Sequence, residues 1–185
     1  MWRFDVSEDE RGVYADCLYL LVEKKLNNIL TENRNRIGNS YSHTWHNASR
    51  EQGLHYGISI MNKGIKFLLD IKTAFLDTIS FENAVKKFDL LLKARQVERQ
   101  IEYPIDYYIS CLVDNNTTEL CINGWISRED VIRLFETKEI IKENTSNPSY
   151  RIPMYRLKDM KSLFKRLGID ADFPKLDGSY SLDDY

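Results

Sequence analysis

The spacing of apolar residues between positions 81 and 95 constrains the fold of this chain more than any other feature. Apolar side chains recur there at intervals of three and four, and Ser80 stands where a helix N-cap belongs. The pattern predicts an amphipathic helix that extends to about Glu102, because Pro104 disfavours helical geometry in the residue before it. The apolar face of this helix consists of Phe81, Ala84, Val85, Phe88, Leu91 and Leu92.

Three other segments in the N-terminal two thirds carry apolar residues at helical spacing. The pattern predicts a first helix over residues 12–30, a long helix over 57–79 and a short one over 105–113. A polar loop, rich in Asn, Ser and Gly, leads into a further helix near Trp45. Residues 1–113 are therefore predicted to form a helical bundle.

The C-terminal third changes character. Residues 119–125 predict a short strand, and Ser127 stands as the N-cap of a helix with an apolar inner face. A polar loop and an extended segment follow, and a second helix begins at Lys158. This order predicts a winged-helix-like module over residues 114–169, with residues 170–185 as an acidic tail. The predicted fold class is mainly α, with an N-terminal helical bundle followed by the small C-terminal module.

Two stretches of this third carry a family resemblance. They are "GWISREDVIRLF" at 124–135 and "YRIPMYRLKDMKSLF" at 150–164. Together they resemble the capped first helix, the Tyr-Arg segment and the second helix of excisionase-like and MerR-like winged-helix modules. The resemblance implies a DNA-binding protein of phage or mobile-element origin.

Residues 151–168 concentrate six Lys and Arg against a single Asp. The apolar residues from Leu157 to Leu167 recur at helical spacing, so their burial leaves the cations on one exposed face. Because the formal net charge of the chain is -2, a nucleic-acid-binding surface has to be a local patch. Such a patch binds phosphate oxygens in a salt-dependent manner. The candidate nucleic-acid-binding residues are Arg151, Arg156, Lys158, Lys161, Lys165 and Arg166.

The same charges also fit a simpler interpretation, in which they solvate an amphipathic helix and pair within the chain. The tail over residues 170–185 contains five Asp and two Tyr. It is an alternative interaction element, which covers the basic face or binds a basic partner surface. A protein partner or a homo-oligomer is the corresponding alternative for the whole chain.

All three histidines, His43, His46 and His55, lie within one short segment. His43 and His46 would share a face of a helix, as two metal ligands need, and a histidine beside nearby arginines could serve as a general base. The motif HExxH is absent, no Cys is close, and a cofactor is not expected. A histidine- or metal-dependent nuclease is therefore kept as an alternative, and no catalytic residue is assigned.

The remaining sequence features indicate where the protein acts. Its three cysteines form no CxxC pair, which argues against a disulfide framework or a structural zinc site. No apolar run approaches the roughly 20 residues that span a bilayer, so a cytoplasmic protein without a membrane partner is expected. The favoured function is non-enzymatic nucleic-acid binding through the basic C-terminal helix, with an enzyme as the less favoured reading.

Overall fold

A computed structural model describes residues 2–5, 18–32, 41–45, 56–76, 83, 87–99, 102–114, 119–143 and 145–168. The strands in these ranges are β1 (Trp2–Asp5), β2 (Tyr41–Trp45), β3 (Ile58–Asn62), β4 (Ile65–Leu76), β5 (Leu90–Lys93), β6 (Tyr107–Asp114), β7 (Glu119–Ser127), β8 (Ile141–Glu143) and β9 (Ser149–Ile152). The helices are α1 (Leu18–Glu32), α2 (Ala94–Glu98), α3 (Arg128–Glu136), a 3-10 helix (Met154–Arg156) and α4 (Met160–Arg166).

The described strands form two sheets. Six strands make a mixed sheet in the order β1-β7-β6-β4-β3-β2, and three make an antiparallel sheet in the order β5-β9-β8. Neighbours in the larger sheet are antiparallel except β4 and β6, which run parallel. Parallel neighbours need a crossover connection, and β5 and α2 lie in it. The protein is therefore mixed α/β, and the predicted mainly α fold with an N-terminal helical bundle is wrong.

The long helix predicted over residues 57–79 is a β-hairpin, formed by β3 and β4. Ile58 pairs with Leu69, and the turn holds Lys63 and Gly64 at positive φ angles of 49° and 79°. Positive φ at both central residues is typical of a two-residue hairpin turn of type I′. The twist of this turn matches the twist of the two strands that it connects. Both faces of β4 are largely covered, so its apolar run lacks the alternation that marks a half-exposed strand. This is why the run imitates helical spacing.

Two further predicted helices are strands as well. Residues 105–113 contribute most of β6, and Trp45 is the last residue of β2. The first predicted helix is present as α1, although it begins at Leu18. In the range predicted as the amphipathic helix, the structure describes β5 and α2, whose junction lies between Lys93 and Ala94.

The strand β5 provides a matched pair of leucines that tests this correction. Leu92 is fully buried, whereas Leu91 is 38% exposed. We expect Leu92→Ala to lower the free energy of unfolding by about 2–5 kcal/mol through cavity formation. Leu91→Ala is expected to change it by only about 0.5 kcal/mol. Urea denaturation measures both, and equal losses would contradict the strand assignment.

The prediction of a winged-helix-like module over residues 114–169 is also wrong. β7 lies between β1 and β6 in the larger sheet, and β8 and β9 join β5 in the smaller one. Strands from both sides of residue 114 thus belong to one sheet. Two local predictions are confirmed: residues 119–125 are in β7, and Ser127 caps α3 by accepting a hydrogen bond from Asp130 N at 3.1 Å. The second helix begins at Met160, with Asp159 as its N-cap.

Two apolar clusters cover opposite faces of the larger sheet. On one face, α1 and α4 pack against β4 residues that include Leu69 and Ile71. On the other face, α2, α3 and the small sheet pack around Tyr108. Because successive side chains of a strand point to opposite faces, Asp70 and Lys72 lie on this second face. No helix in the described ranges has the length and apolar character needed to cross a membrane.

Candidate functional site

A set of polar side chains crosses the second face of the larger sheet, between regions of apolar packing. We call Asp70, Lys72, Gln96 and Ser110 the polar belt. All of these residues are buried except Lys72, whose side chain is 23% exposed. Asp70 Oδ2 accepts a hydrogen bond from Gln96 Nε2 at 3.0 Å and lies 2.6 Å from Lys72 Nζ. A buried carboxylate, an ammonium group and an amide therefore meet at one oxygen atom.

Two features of the fold bring these groups together. Asp70 and Lys72 are alternate residues of β4, and their register partners on the parallel strand β6 are Tyr108 and Ser110. Gln96 arrives from α2, since the crossover between β4 and β6 carries that helix back over the sheet. The parallel pair of strands is thus what assembles the site.

Several polar atoms around Asp70 have no hydrogen-bond partner. Gln96 Oε1 and the Tyr108 hydroxyl are both buried in this state. Burial raises the pKa of Tyr108 strongly, the nearby charge of Asp70 raises it further, and Arg128 lowers it by less. The phenol is therefore protonated at neutral pH and available as a donor. Unpaired buried atoms cost free energy, so the two beside Asp70 single out this part of the sheet as a candidate functional site.

Beside the polar belt, β4 is paired on one side only, as far as the described residues show. β3 pairs with β4 only up to Leu69, whereas β6 pairs with β4 from Leu69 to Leu76. Beyond Leu69, β4 therefore has no second neighbouring strand among the described residues. Along this part of β4, side chains that pack on either face of the larger sheet can come close to one another.

Glu23 of α1 approaches the same edge from the first face. A Cβ atom added to Gly57, which precedes Ile58 at the start of β3, would lie 2.5 Å from Glu23 Oε1. The Glu23 carboxylate is buried and accepts a hydrogen bond from Trp45 Nε1 at 3.1 Å. The absence of a side chain at position 57 thus leaves room for the Glu23 carboxylate against the strand. The helix brings a second carboxylate near the edge where Asp70 lies.

The donor set fits a hard divalent cation of the magnesium type. The described residues contain no group of three or more His, Cys, Asp or Glu side chains placed to hold a metal ion. Magnesium is commonly held by one or two carboxylates, with water and substrate phosphates filling the other positions. The Asp70 carboxylate and the unpartnered oxygen Gln96 Oε1 supply oxygen ligands of that kind.

The cations predicted to bind nucleic acid lie elsewhere. α4 packs on the first face of the sheet, opposite the polar belt. Lys161 and Lys165 on α4 are exposed and form no ion pair with another described residue. The other four cations are paired within the chain. Their partners are Glu143 and Asp89 for Arg151, Glu139 for Arg156, Asp130 for Lys158, and Glu129 for Arg166.

One of these pairs belongs to the N-terminus of α3. Burial of Asp130 raises its pKa, but hydrogen bonds from Lys158, Ser127 and Arg133 outweigh this effect and hold the pKa at about 2. Asp130 is therefore ionised at neutral pH and engages Lys158 at 2.6 Å. This cation has a structural role within the chain.

Of the three histidines, the structure describes only His43. His43 lies on β2, where its Nε2 is 3.2 Å from Thr31 Oγ1. His46, His55 and the acidic tail over residues 170–185 fall outside the described residues. The helical spacing assumed for His43 and His46 does not apply to His43, because it is in a strand.

Sequence reasoning missed Asp70, Lys72 and Gln96 as a group. The available signal was a pair of opposite charges, two positions apart, inside an otherwise apolar run. Such a pair is unexpected in a buried strand unless the charges are partnered or functional. Gln96 carried no signal, because its proximity to Asp70 depends on the crossover.

Comparisons with known proteins give limited information. No protein-family model and no curated protein matches the chain. One similar solved structure is D212, a nuclease from a fusselovirus, with a TM-score of 0.48, 15% identity and coverage of 84% of this chain and 91% of that one. Another is the Holliday junction resolvase Hjc from Archaeoglobus fulgidus, with a TM-score of 0.36, 10% identity and coverage of 74% and 89%. At these TM-scores the structural similarity supports no conclusion about function. The function is therefore inferred from the polar belt.

Proposed function

We propose that this protein acts on nucleic acid as a nuclease that depends on a divalent cation, with the polar belt as its active site. The observation that supports this proposal is the meeting of Lys72 Nζ and Gln96 Nε2 at one oxygen of the buried Asp70, beside the unpartnered Gln96 Oε1. Metal-dependent phosphodiester hydrolysis uses a hard cation held by oxygen ligands, and a positive charge close to the phosphate stabilises the transition state. The polar belt offers oxygen ligands from Asp70 and Gln96 and the positive charge of Lys72.

Each residue has a defined task in this proposal. Asp70 and Gln96 Oε1 would hold the cation, which when bound polarises a phosphate oxygen and activates water. Lys72 Nζ is placed to bind a non-bridging oxygen of the phosphate. It would stabilise the negative charge that develops as the bond from water oxygen to phosphorus forms and the bond to the leaving ribose oxygen breaks. The attacking water releases a proton to solvent, and the leaving oxygen takes a proton from solvent.

Nucleic-acid binding without cleavage is the second candidate function. It is favoured by Lys161 and Lys165, which are exposed and form no ion pair with a described residue. Exposed lysine side chains of this kind can contact phosphate oxygens of a nucleic acid. Their position on the face opposite Asp70 separates this candidate from the nuclease site.

A cleavage assay distinguishes the two functions. The full chain is incubated with labelled single-stranded and duplex DNA and RNA, in Mg²⁺, in Mn²⁺ or in chelator. We expect cleavage with a metal and none with chelator. The double variant Lys161→Glu/Lys165→Glu serves as the control, and it should retain cleavage because neither lysine belongs to the polar belt. Salt-dependent binding that this variant loses, with no cleavage of any substrate, would replace the proposal with the binding function.

A further inference from the structure

Lys72 and Asp70 form an ion pair that is more buried than another pair of the same length. Lys72 Nζ lies 2.6 Å from Asp70 Oδ2, and Lys158 Nζ lies 2.6 Å from Asp130 Oδ2. The Asp70 side chain is 10% exposed, against 22% for Asp130, and the Lys72 side chain is 23% exposed, against 43% for Lys158. Water and salt therefore screen the pair of Lys72 and Asp70 less than they screen the other pair.

The strand β4 itself builds this pair. Asp70 and Lys72 are two positions apart, so their side chains share one face of the sheet. Gln96 Nε2 donates to the same Asp70 oxygen at 3.0 Å. Among the described residues, Asp70 is the acid that pairs with Lys72. The carboxylate proposed to hold a cation is thus already in contact with a positive charge that belongs to the chain.

A divalent cation and the Lys72 ammonium group compete for Asp70. Both are positive, and like charges a few ångströms apart repel strongly where water is scarce. Loss of Lys72 alone is also unfavourable, because it leaves a buried carboxylate without a compensating charge. Binding of the cation and departure of Lys72 are therefore coupled, since one positive charge replaces the other.

A phosphate group favours this exchange. The ammonium group of Lys72 ends a long flexible side chain that is partly exposed, so it can turn away from Asp70 without a change in the backbone of β4. The phosphates of a nucleic acid offer it negatively charged oxygen atoms. Phosphate oxygens also complete the coordination of a magnesium-type cation. A phosphate thus binds the displaced lysine and the incoming cation together.

We infer that the polar belt binds a divalent cation and a nucleic-acid phosphate cooperatively, because Lys72 occupies Asp70 until the phosphate draws it away. The free protein then binds the cation weakly, and nucleic acid raises this affinity. By linkage, the cation raises the affinity for nucleic acid by the same factor. The inference rests on the proposed function for the identity of the cation site, but it is measured by binding and not by cleavage.

The first test measures Mn²⁺ binding to the full chain without nucleic acid, by electron paramagnetic resonance. Lys72→Met removes the competing charge and keeps an apolar side chain of similar length. We expect it to bind Mn²⁺ about tenfold more tightly than wild type, which is within the usual range of coupling between sites. Without Mn²⁺ its melting temperature should lie below that of wild type, and it should rise more when Mn²⁺ is added.

Three variants serve as controls. Lys158→Met removes one positive charge from the more exposed pair of the same length, and it should bind Mn²⁺ as wild type does. Lys72→Arg keeps the competing charge and should bind Mn²⁺ weakly. The double variant Asp70→Asn/Lys72→Met should lose the tighter binding, which places the gain at Asp70.

The second test uses the wild-type protein and a fluorescently labelled thymine oligonucleotide. Its binding is followed by anisotropy with Ca²⁺ or with chelator. We expect Ca²⁺ to strengthen binding about tenfold. Added salt alone would weaken binding, so the direction of the change is diagnostic. If Lys72→Met fails to fold, this measurement decides, and binding that Ca²⁺ leaves unchanged or weakens overturns the inference.

The outcomes separate this inference from the nuclease function. Equal Mn²⁺ affinities of Lys72→Met and wild type overturn the inference, even if wild type cleaves nucleic acid. Tighter Mn²⁺ binding by Lys72→Met, together with stronger oligonucleotide binding in Ca²⁺, supports it. If these two results are obtained and wild type cleaves no substrate, the inference stands and the proposed nuclease function falls.

Discussion

Replacing Asp70 with Asn is expected to lower the rate of cation-dependent cleavage by about 100-fold or more while the protein stays folded. The substitution preserves the shape of the side chain and removes the charge that holds a cation. It also removes the negative charge of the carboxylate whose Oδ2 lies 2.6 Å from the Lys72 ammonium group. Single-turnover cleavage at saturating Mg²⁺ measures the effect, and circular dichroism checks the fold.

The control for this experiment is Asp106→Asn. Asp106 lies just before β6, and its Oδ2 accepts a hydrogen bond from Leu68 N at 2.7 Å. It is an aspartate of the same sheet with a main-chain partner and no place in the polar belt, so the variant should retain cleavage. Equal activity of Asp70→Asn and wild type would show that the cleavage does not arise at the polar belt.

Replacing Trp125 with Ala is expected to lower the free energy of unfolding by about 3–5 kcal/mol. Trp125 is 2% exposed, and its ring stands edge-on to Tyr107 with the centroids 5.3 Å apart. Its Nε1 donates to the Asp159 carbonyl at 2.7 Å and to Ser162 Oγ at 3.0 Å. The substitution therefore opens a cavity and separates β7 from the start of α4. Urea denaturation followed by circular dichroism gives the loss.

A second substitution separates the two contributions of Trp125. Trp125→Phe keeps an aromatic ring against Tyr107 but loses both hydrogen bonds from Nε1. It should destabilise the protein clearly less than Trp125→Ala. If the two variants unfold at the same urea concentration, the hydrogen bonds rather than the packing hold α4 to the sheet.

The parts of the fold that the sequence predicted correctly are those where local chemistry decides. Ser127 as an N-cap of α3 and the burial of Leu163, Phe164 and Leu167 on α4 follow from short-range rules. The hairpin of β3 and β4 was missed, because a strand covered on both faces shows no alternation of apolar and polar residues. The turn at residues 62–65 carried a usable signal, Lys63-Gly64 between two segments rich in apolar residues.

The candidate site was beyond local rules. Gln96 and Asp70 are brought together by a crossover between parallel strands, and a sequence read as a helical bundle contains no such connection. Of the six cations predicted to bind nucleic acid, only Lys161, Lys165 and Arg166 lie on α4. Four of the six have partners in the chain that the sequence could not assign.

The pairing of β1 with β7 also bears on how the chain reaches its native state. Trp2 lies opposite Ile122, so the first strand has no place in the sheet until the seventh has been made. Contacts this distant in sequence form slowly, because a long loop has to close before they contribute stability. On a ribosome, β6 would emerge with one unpaired side that stays exposed until β7 arrives, and an exposed strand edge is prone to pair with other chains. We therefore expect the edge of β6 to be most exposed to pairing with other chains in the interval between the emergence of residues 114 and 127.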